Sequence, residues 1–195
     1  MPEINFEKFK RLVKNNRSCR KFKQNKNFSR KELENLVNLA RITPSAANRQ
    51  PLKYFLSWKS ETNSKIFSTL SWAGALEDWE GPEEGKKPAG YIVILGDTEI
   101  TENFFCDPGI AAQTIMLGAR AKNRAGCIFA AINKNDLREN LNIEDRYKIL
   151  YVIALGTPAE EIVLEKMNGD DYNYWRDNDK VHHVPKRDLE EIIIN

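Results

Sequence analysis

The 195-residue sequence has only three cysteines and two histidines, and each shortage removes a class of function. Cys19, Cys106 and Cys127 are odd in number and form no C-x-x-C pair. Neither a disulfide framework nor a zinc site is expected, and a reducing cytoplasm suits this usage best. His182 and His183 are adjacent in a polar stretch, where neighbouring side chains point apart, and both read as surface residues. They complete no Ser/His/Asp or Cys/His set, so no catalytic side chain is assigned. Apolar runs such as Tyr151 to Leu155 and Ile192 to Ile194 are far too short to span a bilayer, so no membrane association is expected. Met1 to Lys14 is amphipathic and charged and lacks the apolar centre of a secretory signal. The formal charge of +2 gives no basic footprint for nucleic acid. A G-x-G-x-x-G dinucleotide fingerprint is also missing.

What remains is an ordinary globular composition, 41% hydrophobic and 30% charged, long enough for one domain over residues 1–195 with a buried core. Phe6, Phe9, Leu12 and Val13 recur at helical spacing. Ser29 and Glu32 form a capping box ahead of the apolar stripe Leu33, Leu36, Val37 and Ala40, a helix that Pro44 must end near Ile42. Tyr54 to Trp58 and Tyr91 to Leu95 read as strands, with a short amphipathic piece at Ile66 to Leu70 between them. Asp107-Pro108 opens a helix to about Asn123, with aspartate as N-cap, and its nearly all-round apolar surface predicts a buried central helix. Gly126 to Ile132 and Ile149 to Leu155 are further strands flanking a short helix, Asn135 to Leu141. The predicted class is α+β.

From Glu160 to Pro185 the periodicity stops. A structureless segment of that length is uncommon in a compact domain, where connections run to about 4–6 residues. Residues 160–195 are therefore expected to extend over another surface; a solvated tail is the alternative.

Charge is distributed unevenly. Asn16 to Lys26 holds five basic residues and no acidic one, whereas five of the eight residues from Glu77 to Glu84 are acidic. Two arginines around a serine, as in Asn16-Arg17-Ser18-Cys19-Arg20, suit a phosphate, although a basic run after a helix is more often simply solvated. Cys19 reads as a passive small residue within it. Pro44-Ser45-Ala46-Ala47-Asn48-Arg49-Gln50-Pro51 is a rigid loop offering directional donors and acceptors to a planar heterocycle, or an ordinary polar turn. Lys186-Arg187 is a second compact cationic pair.

In this order, with Asp107-x-Gly109-x-Ala111-x-Gln113, Gly126-Cys127 and Ala154-Leu155-Gly156-Thr157-Pro158-Ala159-Glu160 between them, these motifs resemble the nitroreductase family of FMN-dependent oxidoreductases. The likeness covers nearly the whole chain. It implies a mixed central sheet flanked by helices around the central helix, in a homodimer whose C-terminal arm extends over the partner and whose FMN sites are shared. Asn16, Arg17, Ser18 and Arg20 match the phosphate segment, Arg20 reaching the flavin's pyrimidine edge, and Lys186 and Arg187 complete the clamp. Pro44, Ser45, Asn48 and Gln50 match the loop that contacts FMN from the opposite subunit. Phe129, Ala130 and Ala131 match the strand end near flavin N5. Two departures stand out: Asn16 replaces a frequent arginine, and Leu52 a frequent tryptophan.

The implied activity is ping-pong transfer from NADH or NADPH, through FMN, to a small-molecule acceptor such as a nitroaromatic or quinone. A dehalogenating or flavin-degrading enzyme, a non-catalytic FMN store and an anion-binding module are the alternatives. Trp72 to Gly85 is a candidate lid or substrate wall, or else a solvent loop.

Overall fold

The computed structural model describes residues 5–76 and 79–195. Its centre is a sheet of β1 (Leu52–Ser57), β2 (Gly90–Asp97), β3 (Ala125–Phe129) and β4 (Tyr147–Gly156), in the order β1-β2-β4-β3. Each neighbouring pair is antiparallel. A parallel bridge from Ser18 to Gly126 extends the β3 edge and makes the sheet mixed.

The unbroken apolar run of β2 follows from burial on both faces, because alternate strand residues point to opposite sides. Ile92 and Ile94 pack against Leu33 and Leu36 of α2 (Arg30–Arg41) and Ile115 of α4 (Asp107–Ala121). Tyr91, Val93 and Leu95 pack against Ile66 of α3 (Ser60–Phe67) and Leu137 of α5 (Lys134–Leu141). The result is a helix–sheet–helix sandwich of α+β class. Close approach of α2 and α4 depends on Gly118, where a Cβ would lie 2.5 Å from Leu39. The predicted capping box of α2 is formed: Ser29 Oγ accepts the Glu32 N–H at 3.2 Å, and the Glu32 carboxylate accepts the Ser29 N–H at 2.8 Å.

Several expectations need correction. The N-cap of α4 is Cys106; Asp107 occupies the first helical position with its carboxylate turned elsewhere. α4 also keeps one open side, where Gly109 and Gln113 are exposed. The short amphipathic piece expected at Ile66 to Leu70 overlaps only the end of a helix, α3, that spans Ser60–Phe67, and β3 ends at Phe129 rather than Ile132.

The largest correction concerns the C-terminal stretch. Residues 162–186 form a second sheet, β5 (Ile162–Lys166), β6 (Trp175–Arg176) and β7 (His182–Lys186), ordered β5-β7-β6. β5 and β7 run parallel, while β6 and β7 are antiparallel. These strands are only two to five residues long and mostly half-buried, too short to show a period. The chain ends in α6 (Leu189–Ile192) and an exposed apolar tip in which Ile194 is 96% accessible. α1 (Phe6–Asn15) likewise has no fully buried residue; Leu12 and Val13 are half-buried, while Phe6 and Phe9 are exposed.

Candidate functional site

The basic N-terminal segment leaves α1 at Asn16, whose N–H donates to Val13 O as the helix cap, and then runs along β3. Cys19 N–H donates to Gly126 O at 2.8 Å beside the Ser18 bridge. Gly126 is required here, since a Cβ would meet Ala154 O at 2.5 Å. Arg17 folds back to donate from Nη2 to Val13 O at 3.0 Å, and its buried Nε has no partner among the described residues. Burial draws this guanidinium below its ordinary value. Ser18 is exposed, while Cys19 is buried, and burial followed by the Glu160 charge pushes its thiol up. Cys19 is therefore inert, as expected.

The Pro44–Pro51 loop sits at the other end of α4. Asp107, 4% exposed, accepts from Ser45 Oγ at 2.6 Å and from Ala46 N–H at 2.9 Å, while Ser45 Oγ accepts from Gln50 N–H at 2.9 Å. Held this way, Ala47, Asn48 and Gln50 all take left-handed backbone, with φ of 51°, 53° and 51°. Non-glycine residues enter that region at a cost and tend to do so at functional sites. Asn48 and Gln50 are exposed, and Pro44, Ser45, Gln50 and Tyr54 help line a cavity of about 500 Å³ between α2 and β1.

Phe129 is buried, and its ring meets Trp72 edge-on at 4.6 Å. Ala130 and Ala131 beyond it are exposed, with Ala131 O accepting from Ser71 N–H at 3.1 Å. In the suspected lid, Glu77 and Asp78 lie outside the described residues. The rest forms a wall: Trp72 is buried between Phe67, Trp79 and Phe129, and a Cβ on Gly81 would touch its indole at 2.9 Å. Arg176 lies 4.3 Å above the Trp79 ring and ties this wall to β6.

Lys186 and Arg187 are exposed. Arg187 pairs with Asp170 at 3.2 Å and Glu191 at 3.3 Å, and these carboxylates raise its pKa. Among the described residues no hydrogen bond joins this pair to Arg17, Ser18 or Arg20.

Apart from Lys186 and Arg187, the sequence-predicted residues fall into two groups. Arg17, Ser18, Arg20 and Phe129 to Ala131 share the β3 edge. The Pro44–Pro51 loop leads into β1 at the opposite edge and is anchored at the far end of α4. Along α4, whose fifteen residues rise about 1.5 Å each, the Asp107 anchor and the Ser18–Gly126 bridge lie on the order of 20 Å apart. One chain does not bring the two halves together.

Four residues given no role by sequence gather beside Arg20. The Glu160 carboxylate accepts from the backbone N–H groups of Arg20 and Lys21 and pairs with Arg176 at 3.2 Å. His182, expected at the surface, is 1% exposed and faces Arg20, as does Tyr174. Glu160 stands in the motif that closes β4, but Glu161 follows it directly and nothing in the local sequence marks which of the two faces Arg20. Nothing local distinguished His182 from His183.

Residues 13–157 match the Nitroreductase family model, about three quarters of the chain. The chain belongs to that family. YodC of Bacillus subtilis (strain 168), classed by name with the NAD(P)H nitroreductases, is 23% identical over 175 residues, covering 74% of this chain and 87% of its own. A nitroreductase family protein from Clostridium novyi NT superposes with a TM-score of 0.63 at 24% identity, over 77% of this chain and 86% of that one. A protein from Exiguobacterium sibiricum 255-15, solved in complex with FMN, gives a TM-score of 0.64 at 17% identity, over 82% and 91%.

Proposed function

We propose that the protein is an FMN-dependent oxidoreductase that takes reducing equivalents from NADH or NADPH and delivers them to a small acceptor such as a nitroaromatic or quinone. The observation carrying this reading is the donor set on the β3 edge. An arginine whose buried Nε has no partner among the described residues, an exposed serine hydroxyl and a second arginine follow one another along β3, with Ser18 bridged to Gly126 on the strand that ends at Phe129. Such donors fit a phosphate followed by a planar polar ring. Family membership and the FMN-bound relative support the same cofactor.

Arg17 and Ser18 would hold the phosphate and Arg20 the pyrimidine edge, with Asn16 serving as the helix cap. Bound FMN would accept hydride from the nicotinamide and pass it on, so the protein supplies binding, orientation and electrostatics. A fixed cation at Arg20 stabilises negative charge gained on reduction. The indoles of Trp72 and Trp79 would keep water from the space beside Phe129.

The separation of the two halves of the site supports a homodimer in which Pro44, Ser45, Asn48 and Gln50 of one chain complete the site of the other. The exposed apolar residues of α1 and Leu189–Ile194 are suited to the contact, the latter as an arm over the partner. Single-domain organisation over residues 1–195 and a cytoplasmic location accompany this reading. Lys186 and Arg187 would join the clamp once Arg187 exchanges Asp170 and Glu191 for phosphate.

The test is the purified protein itself. It should be yellow, release FMN on denaturation and bleach anaerobically with NADH or NADPH; colour that persists with both nicotinamides makes it a flavin store, and failure to take up FMN refutes the reading. Arg17→Ala should weaken FMN by about 1.5–3 kcal/mol, the range for a lost charge-assisted hydrogen bond.

A further inference from the structure

Arg20, Tyr174 and His182 come from three separate segments and meet in one stack. His182 Nε2 lies 3.3 Å from Arg20 Nη1. The Arg20 guanidinium carbon sits 4.6 Å from the Tyr174 ring centroid, and the Tyr174 and His182 rings are 5.2 Å apart. A guanidinium only donates, so Nε2 must be the acceptor and the imidazole proton must sit on Nδ1. That Nδ1 is buried and has no partner among the described residues. The tautomer is thus selected by Arg20 alone, at the expense of an unsatisfied N–H, the kind of local cost that structure alone does not repay.

The other groups around the stack are Glu160, which accepts from the backbone of Arg20, and Arg176, paired with Glu160. Burial first, and then the Arg20 charge, lower the His182 pKa to about 4, so the ring is neutral and able to accept at ordinary pH. Apart from its contact with His182, Arg20 Nη1 reaches only Ser18 O, at 3.5 Å, while Nη2 and Nε make no hydrogen bond among the described residues.

We propose that His182 is a positioning residue for Arg20: with Tyr174 under the guanidinium face, it fixes one donor so that the unused donors meet the anionic pyrimidine edge of reduced flavin. The inference rests on the functional reading above but concerns residues that reading leaves out. Its consequence is redox tuning. A guanidinium held in place favours reduced over oxidised FMN more than a mobile one does.

The experiment uses FMN-loaded wild type, His182→Ala, His182→Gln, Arg20→Ala and the double variant, with FMN affinity read by fluorescence and midpoint potential by anaerobic dye equilibration. His182→Ala should weaken reduced FMN relative to oxidised FMN by about tenfold, a fall of about 30 mV for a two-electron couple. His182→Gln, whose amide oxygen can accept the same proton, should restore the potential. Arg20→Ala should lower it at least as far, and adding His182→Ala to it should change nothing more. An unchanged potential in His182→Ala, or shifts that add in the double variant, would overturn the proposal. Wild type that binds no FMN would overturn both the proposal and the reading beneath it; wild type that binds while the variants behave alike overturns the proposal only. Should His182→Ala not fold, Tyr174→Leu removes the platform from the other side and must lower the potential, or the proposal fails.

Discussion

Replacing Asp107 by alanine tests how the loop from Pro44 to Pro51 is held. The carboxylate accepts two hydrogen bonds, from Ser45 Oγ and Ala46 N–H, in a position only 4% exposed. Hydrogen bonds to a charged group contribute about 1.5–3 kcal/mol each, so the anchor supplies roughly 3–6 kcal/mol. Against it stand Ala47, Asn48 and Gln50 in left-handed backbone. That conformation costs about 1–2 kcal/mol per ordinary L-residue and less for asparagine, some 3–4 kcal/mol together. Without the carboxylate the loop is expected to relax. Relaxation returns most of the strain, so the net loss of global stability is about 1–3 kcal/mol, or roughly 2–4 °C in Tm per kcal/mol at this size. The local effect is larger. Amide exchange at Ala46 and Gln50 should lose its protection, and FMN affinity should fall with it. Asp107→Asn, which keeps an acceptor for Ala46, should fall between the two. Unchanged protection of both amides in Asp107→Ala would refute the anchoring argument.

Other expectations are independent of that loop. His183 donates to Glu165 at 2.8 Å and Asp177 at 3.1 Å while stacked on Trp175, which is possible at both nitrogens only as an imidazolium. The hydrogen bond to Asp177, then that to Glu165, raises its pKa, so this latch on the second sheet is complete below about pH 6.5 and is lost as pH rises through the higher folded value. Trp175 fluorescence should report that transition, and its persistence in His183→Gln would count against the assignment. Arg124 donates to Lys26 O, Asn27 O, Thr157 Oγ1 and Glu32 and covers Phe28, so Arg124→Ala should cost about 2–3 kcal/mol in denaturant unfolding, with lysine a poor rescue. A Cβ at Gly156 would meet the Phe22 ring at 2.5 Å; Gly156→Ala should cost about 1–3 kcal/mol, and an unshifted Tm would mean that Phe22 yields freely.

The main sheet and its helices were legible because their signals are long or chemically marked. The β2 run, the Ser29–Glu32 box and the stripe of α2 each report burial directly. Asp107 was read as a cap from its place before proline, yet its carboxylate serves a loop some sixty residues away, a long-range use that local pattern does not encode. The strands of the second sheet are too short to show a period, so no sequence pattern marks them. His182 and His183 show the same limit at a single position: identical residues, one sealed against Arg20 and the other clasped by two carboxylates, distinguished only by tertiary neighbours. The R-S-x-R segment and the loop were legible as chemistry, but their placement at opposite ends of α4 was not.

That placement has a consequence for how the cofactor is retained. A chain with complementary half-sites at the two ends of one stiff rod can complete both at once by meeting a copy of itself about a two-fold axis, giving two equal sites per pair. On the proposed shared-site reading, cofactor occupancy would rise and fall with protein concentration, and dilution alone should strip the flavin. In the proposed dimer each bound flavin would act as a clasp between subunits, so loading with FMN should tighten the pair that FMN itself requires.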